Sequence, residues 1–318
     1  MNVCALAGRR VAGGILVLVL MAILWSPQAM AVGYGPDSFL VSGFGGNGTV
    51  GVYDRNFVFQ GYLDPALPSA LGLDFTPTGN AITGSQNGIV RQYTPAGALV
   101  ANFNTPNESP VDVKYGPGNR LYLGTQQPTS GVHEYSLTGA PLRTFGNREY
   151  DSVAVLPGGV LWAGGNQSNV GRIDVFNITS GAFVNTIVLD NGQNEAESMY
   201  YSPLTNTVLT CGEQSVGLWE RSTSGAFIRK FSAPGFGSSF GVTRGPGGDV
   251  YATTLNGDQV YHWRPDGTFV NAFSIGSTTN QSCGIVWAGN VPEPGPACLM
   301  LAGAAVVTLR SRRRARVG

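Results

Sequence analysis

One pattern recurs along the chain and restricts what it can fold into. A strand-like stretch ends in an aromatic residue, a glycine turn follows, and an apolar residue comes six positions after that glycine. "VRQYTPAGALVANF" has Tyr93, Gly97 and Phe103, and "VHEYSLTGAPLRTF" has Tyr135, Gly139 and Phe145. "IDVFNITSGAFVNTI" has Phe176, Gly181 and Ile187, "GLWERSTSGAFIRKF" has Trp219, Gly225 and Phe231, and "VYHWRPDGTFVNAF" has Trp263, Gly267 and Phe273. "VGVYDRNFVFQGY" offers Tyr53 and Tyr62, with Asn56 expected in the glycine's place because Asn tolerates positive φ. The aromatic landmarks at 53, 93, 135, 176, 219 and 263 are spaced by 40 to 44 residues. Between them lies a second set of turn signals: "TPTGNAITG", "GPGNRLYLG", "LPGGVLWAG", "SPLTNTVLT" and "GPGGDVYAT".

Each unit therefore reads strand, Pro/Gly turn, strand, variable loop, strand, Gly turn, strand. Four antiparallel strands per unit of about 42 residues mark a β-propeller blade. The first unit starts "YGPDSFLVSG", already at its Pro/Gly turn, and lacks an innermost strand. The late stretch "QSCGIVWAGN" matches the innermost strands "SSFGVTRGPGG" and "SPVDVKYGPG". The expectation is an all-β, six-bladed β-propeller whose C-terminal strand completes the first blade and satisfies edges that would otherwise be open. Gly72, Ala154, Gly241, Gly284, Asp112 and Tyr200 are expected at similar depths on the innermost strands. The third-strand aromatics are expected to pack blade against blade.

Composition supports one large domain, expected over residues 32–290. Glycine, at 46 of 318 residues, is about twice its usual frequency. The formal net charge of zero hides an imbalance: residues 32–290 hold 10 Arg and 2 Lys against 18 Asp plus Glu. An acidic, lysine-poor domain is a poor nucleic-acid binder. Cys211 and Cys283 fall in non-adjacent blades and are expected as separate thiols. His133 and His262 fall on third strands, away from the axis, and are expected to pack. Recognisable hydrolase and metalloprotease motifs are absent from the sequence, and "GFGGNG" at 43–48 is not followed by a helix that would make it a phosphate cradle.

The ends of the chain carry different signals. Arg9 and Arg10 precede an apolar run from Val11 to Trp25, and Ala29-Met30-Ala31 gives the small-x-small pattern read by signal peptidase. Residues 1–31 are expected to be a signal peptide, cleaved between Ala31 and Val32. The chain closes with Pro292-Glu293-Pro294, a 14-residue apolar run from Pro296 to Leu309, and a cluster formed by Arg310, Arg312, Arg313, Arg314 and Arg316. That run is marginal as a membrane-spanning helix, which needs roughly 20 residues. The arginines would hold its end on the cytoplasmic side during export. The prolines keep the motif before it extended and exposed.

Residues 291–318 resemble the PEP-CTERM sorting signal of Gram-negative bacteria, with all three parts in order and Gly295 where Ser or Thr is frequent. The resemblance implies transient inner-membrane contact through the tail, recognition by an exosortase and removal of the tail. It also implies release or attachment at the cell surface or in an exopolysaccharide or biofilm matrix, with surface polysaccharide or protein as partner. Residues 38–289 resemble NHL-type and gluconolactonase-type propellers, and equally the WD/YVTN-type repeats of surface proteins.

Aligned on the innermost strands, the blades begin with Ser69, Ser109, Ser152, Ser198, Ser239 and Ser282. One position earlier stand Pro68, Glu108, Asp151, Glu197, Ser238 and Gln281. Three carboxylates from consecutive blades, Glu108, Asp151 and Glu197, are expected to gather at the axial mouth. Gathered carboxylates repel unless a cation or protons intervene, and oxygen ligands suit Ca²⁺ or Mg²⁺. The gluconolactonase resemblance implies a catalytic metal in this region, although that family's Asn and Asp motifs are not recognisable here. Two functions remain open: a non-enzymatic binding or structural module, and a metal-dependent, lactonase-like hydrolase with an axial cation site.

Overall fold

The computed structural model describes residues 31–43, 50–105, 108–126, 131–165, 171–255, 257–276 and 282–290. The expected signal peptide up to residue 30, the Pro-Glu-Pro motif and the arginine cluster lie outside these residues, as does Gln281. Among the described residues no helix is long and apolar enough to cross a membrane.

The chain forms six four-stranded antiparallel sheets. Blade 1 begins with β1 (Ser38–Gly43), β2 (Val50–Asp54) and β3 (Phe59–Asp64). Blade 2 is β4 (Ala70–Phe75), β5 (Ala81–Ser85), β6 (Ile89–Tyr93) and β7 (Leu99–Asn104). Blade 3 is β8 (Pro110–Gly116), β9 (Arg120–Thr125), β10 (Val132–Ser136) and β11 (Pro141–Phe145). Blade 4 is β12 (Ser152–Leu156), β13 (Val160–Gly165), β14 (Arg172–Asn177) and β15 (Phe183–Val188). Blade 5 is β16 (Ser198–Ser202), β17 (Thr207–Gly212), β18 (Ser215–Ser222) and β19 (Phe227–Phe231). Blade 6 is β20 (Ser239–Arg244), β21 (Val250–Thr254), β22 (Gln259–Trp263) and β23 (Phe269–Ser274). The last strand, β24 (Ser282–Trp287), returns to blade 1 and pairs with β1, Phe39 opposite Trp287 and Val41 opposite Ile285. The expected ring closure is therefore present. Innermost strands β24, β4, β8, β12, β16 and β20 each pack against the next around the ring.

That packing is close enough to dictate residue type. A Cβ added to Gly72 would lie 2.5 Å from the backbone nitrogen of Val113, in the next blade. One on Gly241 would lie 2.0 Å from the Cys283 carbonyl, and one on Gly284 would lie 2.4 Å from the Leu71 carbonyl. Real Cβ atoms do not approach so closely, so these positions admit only glycine without a backbone shift. Hydroxyls staple the same seams. Ser42 donates to the Leu71 carbonyl at 2.6 Å, Thr253 donates to the Cys283 carbonyl at 2.7 Å, and Ser152 donates to the Ala196 carbonyl.

The third-strand aromatics Tyr53, Tyr93, Tyr135, Phe176, Trp219 and Trp263 are all buried, as their repeat position predicts. Successive blades also interlock through their turns. The turn at Gly139 sits on Phe103 of the blade before it, and the turn at Gly225 sits on Ile187. Arg143 Nη1 donates to the Thr179 carbonyl of blade 4, and Arg229 Nη1 donates to the Pro265 carbonyl of blade 6.

Blade 1 departs from expectation at its turn. The left-handed residue is Phe57 (φ 60°), not Asn56. In the other blades Gly97, Gly139, Gly181, Gly225 and Gly267 hold this place with φ between 76° and 95°. Asp54 Oδ1 accepts from the backbone nitrogens of Asn56 and Val58 and fixes the turn. The strained Phe57 is retained because its ring fills the seam with blade 6. It stacks on Phe39 at 4.5 Å and lies 4.7 Å from Phe273 and 5.7 Å from Tyr251.

Phe57→Ala should destabilise the protein by about 3–5 kcal/mol, as for other buried phenylalanines. Phe57→Gly should cost about 1 kcal/mol less, because glycine adopts the left-handed turn freely. Urea denaturation of both variants checks this, and equal or reversed losses would show that backbone strain is not stored at Phe57.

Candidate functional site

The innermost strands surround an axial cavity of about 120 Å³. Its wall includes Asp74, Asp112 and Lys114, Asp151, Glu197 and Tyr200. At the far end the wall continues into a shallower mouth lined by Phe75, Tyr200, Tyr201 and Trp287. Of the three carboxylates expected at the axis, the structure brings Asp151 and Glu197 to the cavity and places Glu108 elsewhere. Glu108 Oε1 accepts from the Tyr135 hydroxyl at 2.7 Å and lies 3.1 Å from His133 Nδ1, both on third strand β10. Among the described residues no group of three or more His, Cys, Asp or Glu side chains converges to hold a metal ion.

The reason lies in strand register. β4, β8 and β20 each contain a bulge that accommodates one extra residue: Leu71, Val111 or Phe240. Asp112 stands opposite Gly124 on the rung where blades 4 and 5 have Ser152 opposite Gly164 and Ser198 opposite Cys211. Aligning the blades on their serines treats Ser109 as the equivalent of Ser152. The ladder shows that Asp112 is the equivalent, three residues further along. Glu108 therefore falls outside the mouth. For the same reason Ala154 and Tyr200 do not share a level with Gly72, Asp112 and Gly241. The serines also have structural duties: Ser109 donates to the Gln86 carbonyl at 3.0 Å, and Ser152 staples blade 4 to blade 5.

The carboxylates that do line the cavity are mostly committed. Asp112 Oδ1 accepts from Lys114 Nζ at 2.6 Å, and its Oδ2 accepts from the Val153 backbone nitrogen at 3.0 Å. Burial raises the Asp112 pKa, with Lys114 opposing the shift. Asp74 Oδ2 accepts from the Tyr115 backbone nitrogen at 2.6 Å, and burial pushes its carboxyl up to about 6. Glu197 Oε2 accepts from the Glu213 backbone nitrogen at 2.6 Å. Burial, with the charge of Glu195 added to it, raises Glu197 to about 8. Glu197 is thus largely protonated at neutral pH, so proton uptake relieves repulsion here.

Sequence reasoning missed Glu195, Lys114 and Asp74. Lys114 and Asp74 lie one residue before Tyr115 and Phe75 on the inner strands, a clue visible only once strand phase is known. Glu195 lies in a loop with no periodic signal. The two histidines lie on third strands, as expected. His262 stacks on Tyr251 at 4.5 Å, and its Nε2 lies 2.6 Å from Asp249 Oδ2. Cys211 and Cys283 are both buried and lie in separate blades.

Fold and cavity together define a six-bladed β-propeller with a narrow axis lined by apolar side chains and a few ionisable ones. No family model matches this chain, and no curated protein matches it in sequence. Its fold is similar to a solved chain in the crystal structure of a nidogen/laminin complex, with TM-score 0.65 and 13% sequence identity. The match covers 78% of this chain and 97% of that one, and it establishes the propeller fold.

Glu197 yields a pH prediction. In the folded protein it titrates at about 8, above the ordinary glutamate value of 4.5. The native state therefore holds the extra proton between these values, and stability present at low pH is lost as pH rises through about 8. Glu197→Gln keeps an acceptor for the Glu213 N–H and removes the titration. It should match wild type near pH 5 and melt higher than wild type above pH 8. Thermal melts across that range check this, and parallel pH profiles would contradict the buried, protonated carboxyl.

Proposed function

We propose that this protein is an exported, exosortase-processed β-propeller that serves as a non-enzymatic binding or structural module at the cell surface or in an exopolysaccharide matrix. The observation that carries the reading is the axis itself. The inner cavity of about 120 Å³ and the mouth of about 210 Å³ beside it are each below the roughly 300–1,000 Å³ of typical small-molecule sites. Most of the axial carboxylates are already engaged by backbone N–H groups or Lys114. Such an axis suits a rigid scaffold that presents its outer surfaces.

Two boundaries support the processing part of the proposal. Val32, the residue after the expected cleavage point, donates its backbone N–H to the Tyr62 carbonyl at 2.9 Å, so it already belongs to the hydrogen-bonded framework of the described residues. At the other end β24 finishes at Trp287, before Pro292. Cleavage at either place spares every strand of the ring. The related fold in a nidogen/laminin complex gives a precedent for a propeller in a protein–protein assembly.

The hydrolase alternative keeps one supporting observation, the joint placement of Asp151 and Glu197 on the cavity wall. Calcium discriminates the two. A scaffold melts at the same temperature with and without millimolar Ca²⁺, whereas an axial cation site raises the melting temperature in wild type and not in Glu197→Gln.

Mass spectrometry of the protein recovered from its native host tests the export reading. The expected mature form begins at Val32 and lacks the arginine cluster. Recovery of a secreted form that retains Arg310 to Arg316 would falsify it.

A further inference from the structure

The loop that joins β15 to β16, residues 189–197, grips the tight turn between β17 and β18 with two glutamates. Glu197 Oε2 accepts from the Glu213 backbone nitrogen at 2.6 Å, and Glu195 Oε2 accepts from the next one, that of Gln214, at 2.8 Å. Successive amides of one turn thus hold the two carboxyl groups side by side, within hydrogen-bond reach of each other. Glu195 packs so closely on this turn that a Cβ added to Gly212 would lie 2.6 Å from the Glu195 Cβ.

One oxygen is left over. Glu195 is only 1% exposed, and its Oε1 is buried with no hydrogen-bond donor. A buried carboxylate oxygen without a donor is costly. The ionisable groups around the pair do not supply one. Glu213 in the turn and Asp151 at the entry to β12 are acidic and repel it. Cys211 on β17 is engaged with Ser198 and Ser239. The cation of this loop, Arg221, is committed at the other end, with Nη2 2.8 Å from Asp190 Oδ1 and Nε 3.1 Å from Gln193 Oε1. The group within reach that can carry the missing hydrogen is Glu197 itself, once protonated.

We propose that Glu195 and Glu197 share one proton, and that this carboxyl–carboxylate hydrogen bond latches residues 194–197 over the β17–β18 turn. Two carboxylates in one site retain a proton between them because both cannot ionise cheaply. Loss of that proton to hydroxide leaves two buried negative charges in contact, with Glu213 and Asp151 adding to the repulsion. Residues 194–197 then lift from the turn, while Arg221 keeps Asp190 and Gln193 in place. Glu197 lines the axial cavity, so the movement opens the axis on this side. The latch is closed at acid and neutral pH and opens as pH rises through about 8, where Glu197 titrates.

Amide NMR of the folded protein tests the shared proton. The Glu213 and Gln214 amides each donate to one member of the pair. In the wild-type protein both resonances should shift in one common alkaline step, because a coupled pair titrates as a unit. Hydrogen-exchange protection at both amides, corrected for the intrinsic base-catalysed rate, should fall at least about tenfold between about pH 6 and pH 9, while Leu209 in the core of β17 keeps its protection. Glu195→Gln and Glu197→Gln each replace the shared proton with a fixed amide donor, so each should hold protection constant to within about twofold. In Glu195→Gln the step at Glu213 should also move down by at least about one pH unit, a tenfold loss of proton affinity, because the neighbouring charge is gone. If a variant fails to fold, the wild-type titration decides alone. An alkaline step at Glu213 that Gln214 does not share, a step that stays near pH 8 in folded Glu195→Gln, or protection that does not fall would each overturn the proposal. A step that shifts between EDTA and millimolar Ca²⁺ would also overturn it, by giving the orphan oxygen to a metal ion.

Discussion

The closeness of backbones at the axis governs the rest of this structure. Neighbouring innermost strands approach until Gly72, Gly241 and Gly284 have no room for a Cβ. Six strands at that separation leave only a narrow cavity between them. The same closeness brings Ser42, Ser152 and Thr253 within reach of carbonyls in the next blade. Side chains that remain on the inner wall lose much of their hydration. Carboxylates placed there must find backbone donors, a cation such as Lys114, or a proton, because an unpaired buried charge is costly. The unusual ionisation of Glu197 is therefore a result of the packing as much as a sign of chemistry.

Farther from the axis the blades diverge and the solution changes. The gap is filled by third-strand aromatics and by turns that ride on the preceding blade. Buried carboxylates on the third strands, Glu220 and Asp174, are held by cationic or hydroxyl partners. Glu220 holds Arg244 at 2.5 Å and Arg229 at 3.0 Å, and Asp174 accepts from Tyr150 at 2.8 Å and Thr186 at 2.7 Å. Removing one partner of such a pair leaves the other charge buried, so these groups make departures from the native arrangement expensive. Phe57 shows the same priority on a smaller scale, since seam filling outweighs backbone comfort there.

The architecture was legible in the sequence because it rests on period. Aromatic landmarks, Gly turns and the misplaced inner strand near residue 285 each gave the right unit, the right count and the right closure. The site was legible only in part. Asp151 and Glu197 do line the cavity, since both directly precede unbulged strands. Glu108 was misplaced because the extra residue at Val111 and the offset of Ser109 from Ser152 cannot be counted from a pattern that assumes equal strands. Asn56 was misread for a related reason: residue preference suggested a turn position that packing assigned to Phe57. Phase within a strand is set by contacts across the ladder, and a single sequence does not display them.

The pairing of β1 with β24 has a mechanical consequence. Phe39 and Trp287 share a rung, so β1 begins beside the end of β24. Tension applied between those ends would unzip the closing ladder one rung at a time, the geometry in which a hydrogen-bonded sheet yields most easily. Tension between the C-terminal end and a distant blade would instead load many rungs at once. A molecule of this shape resists force best when it is held by one end and gripped on its opposite rim.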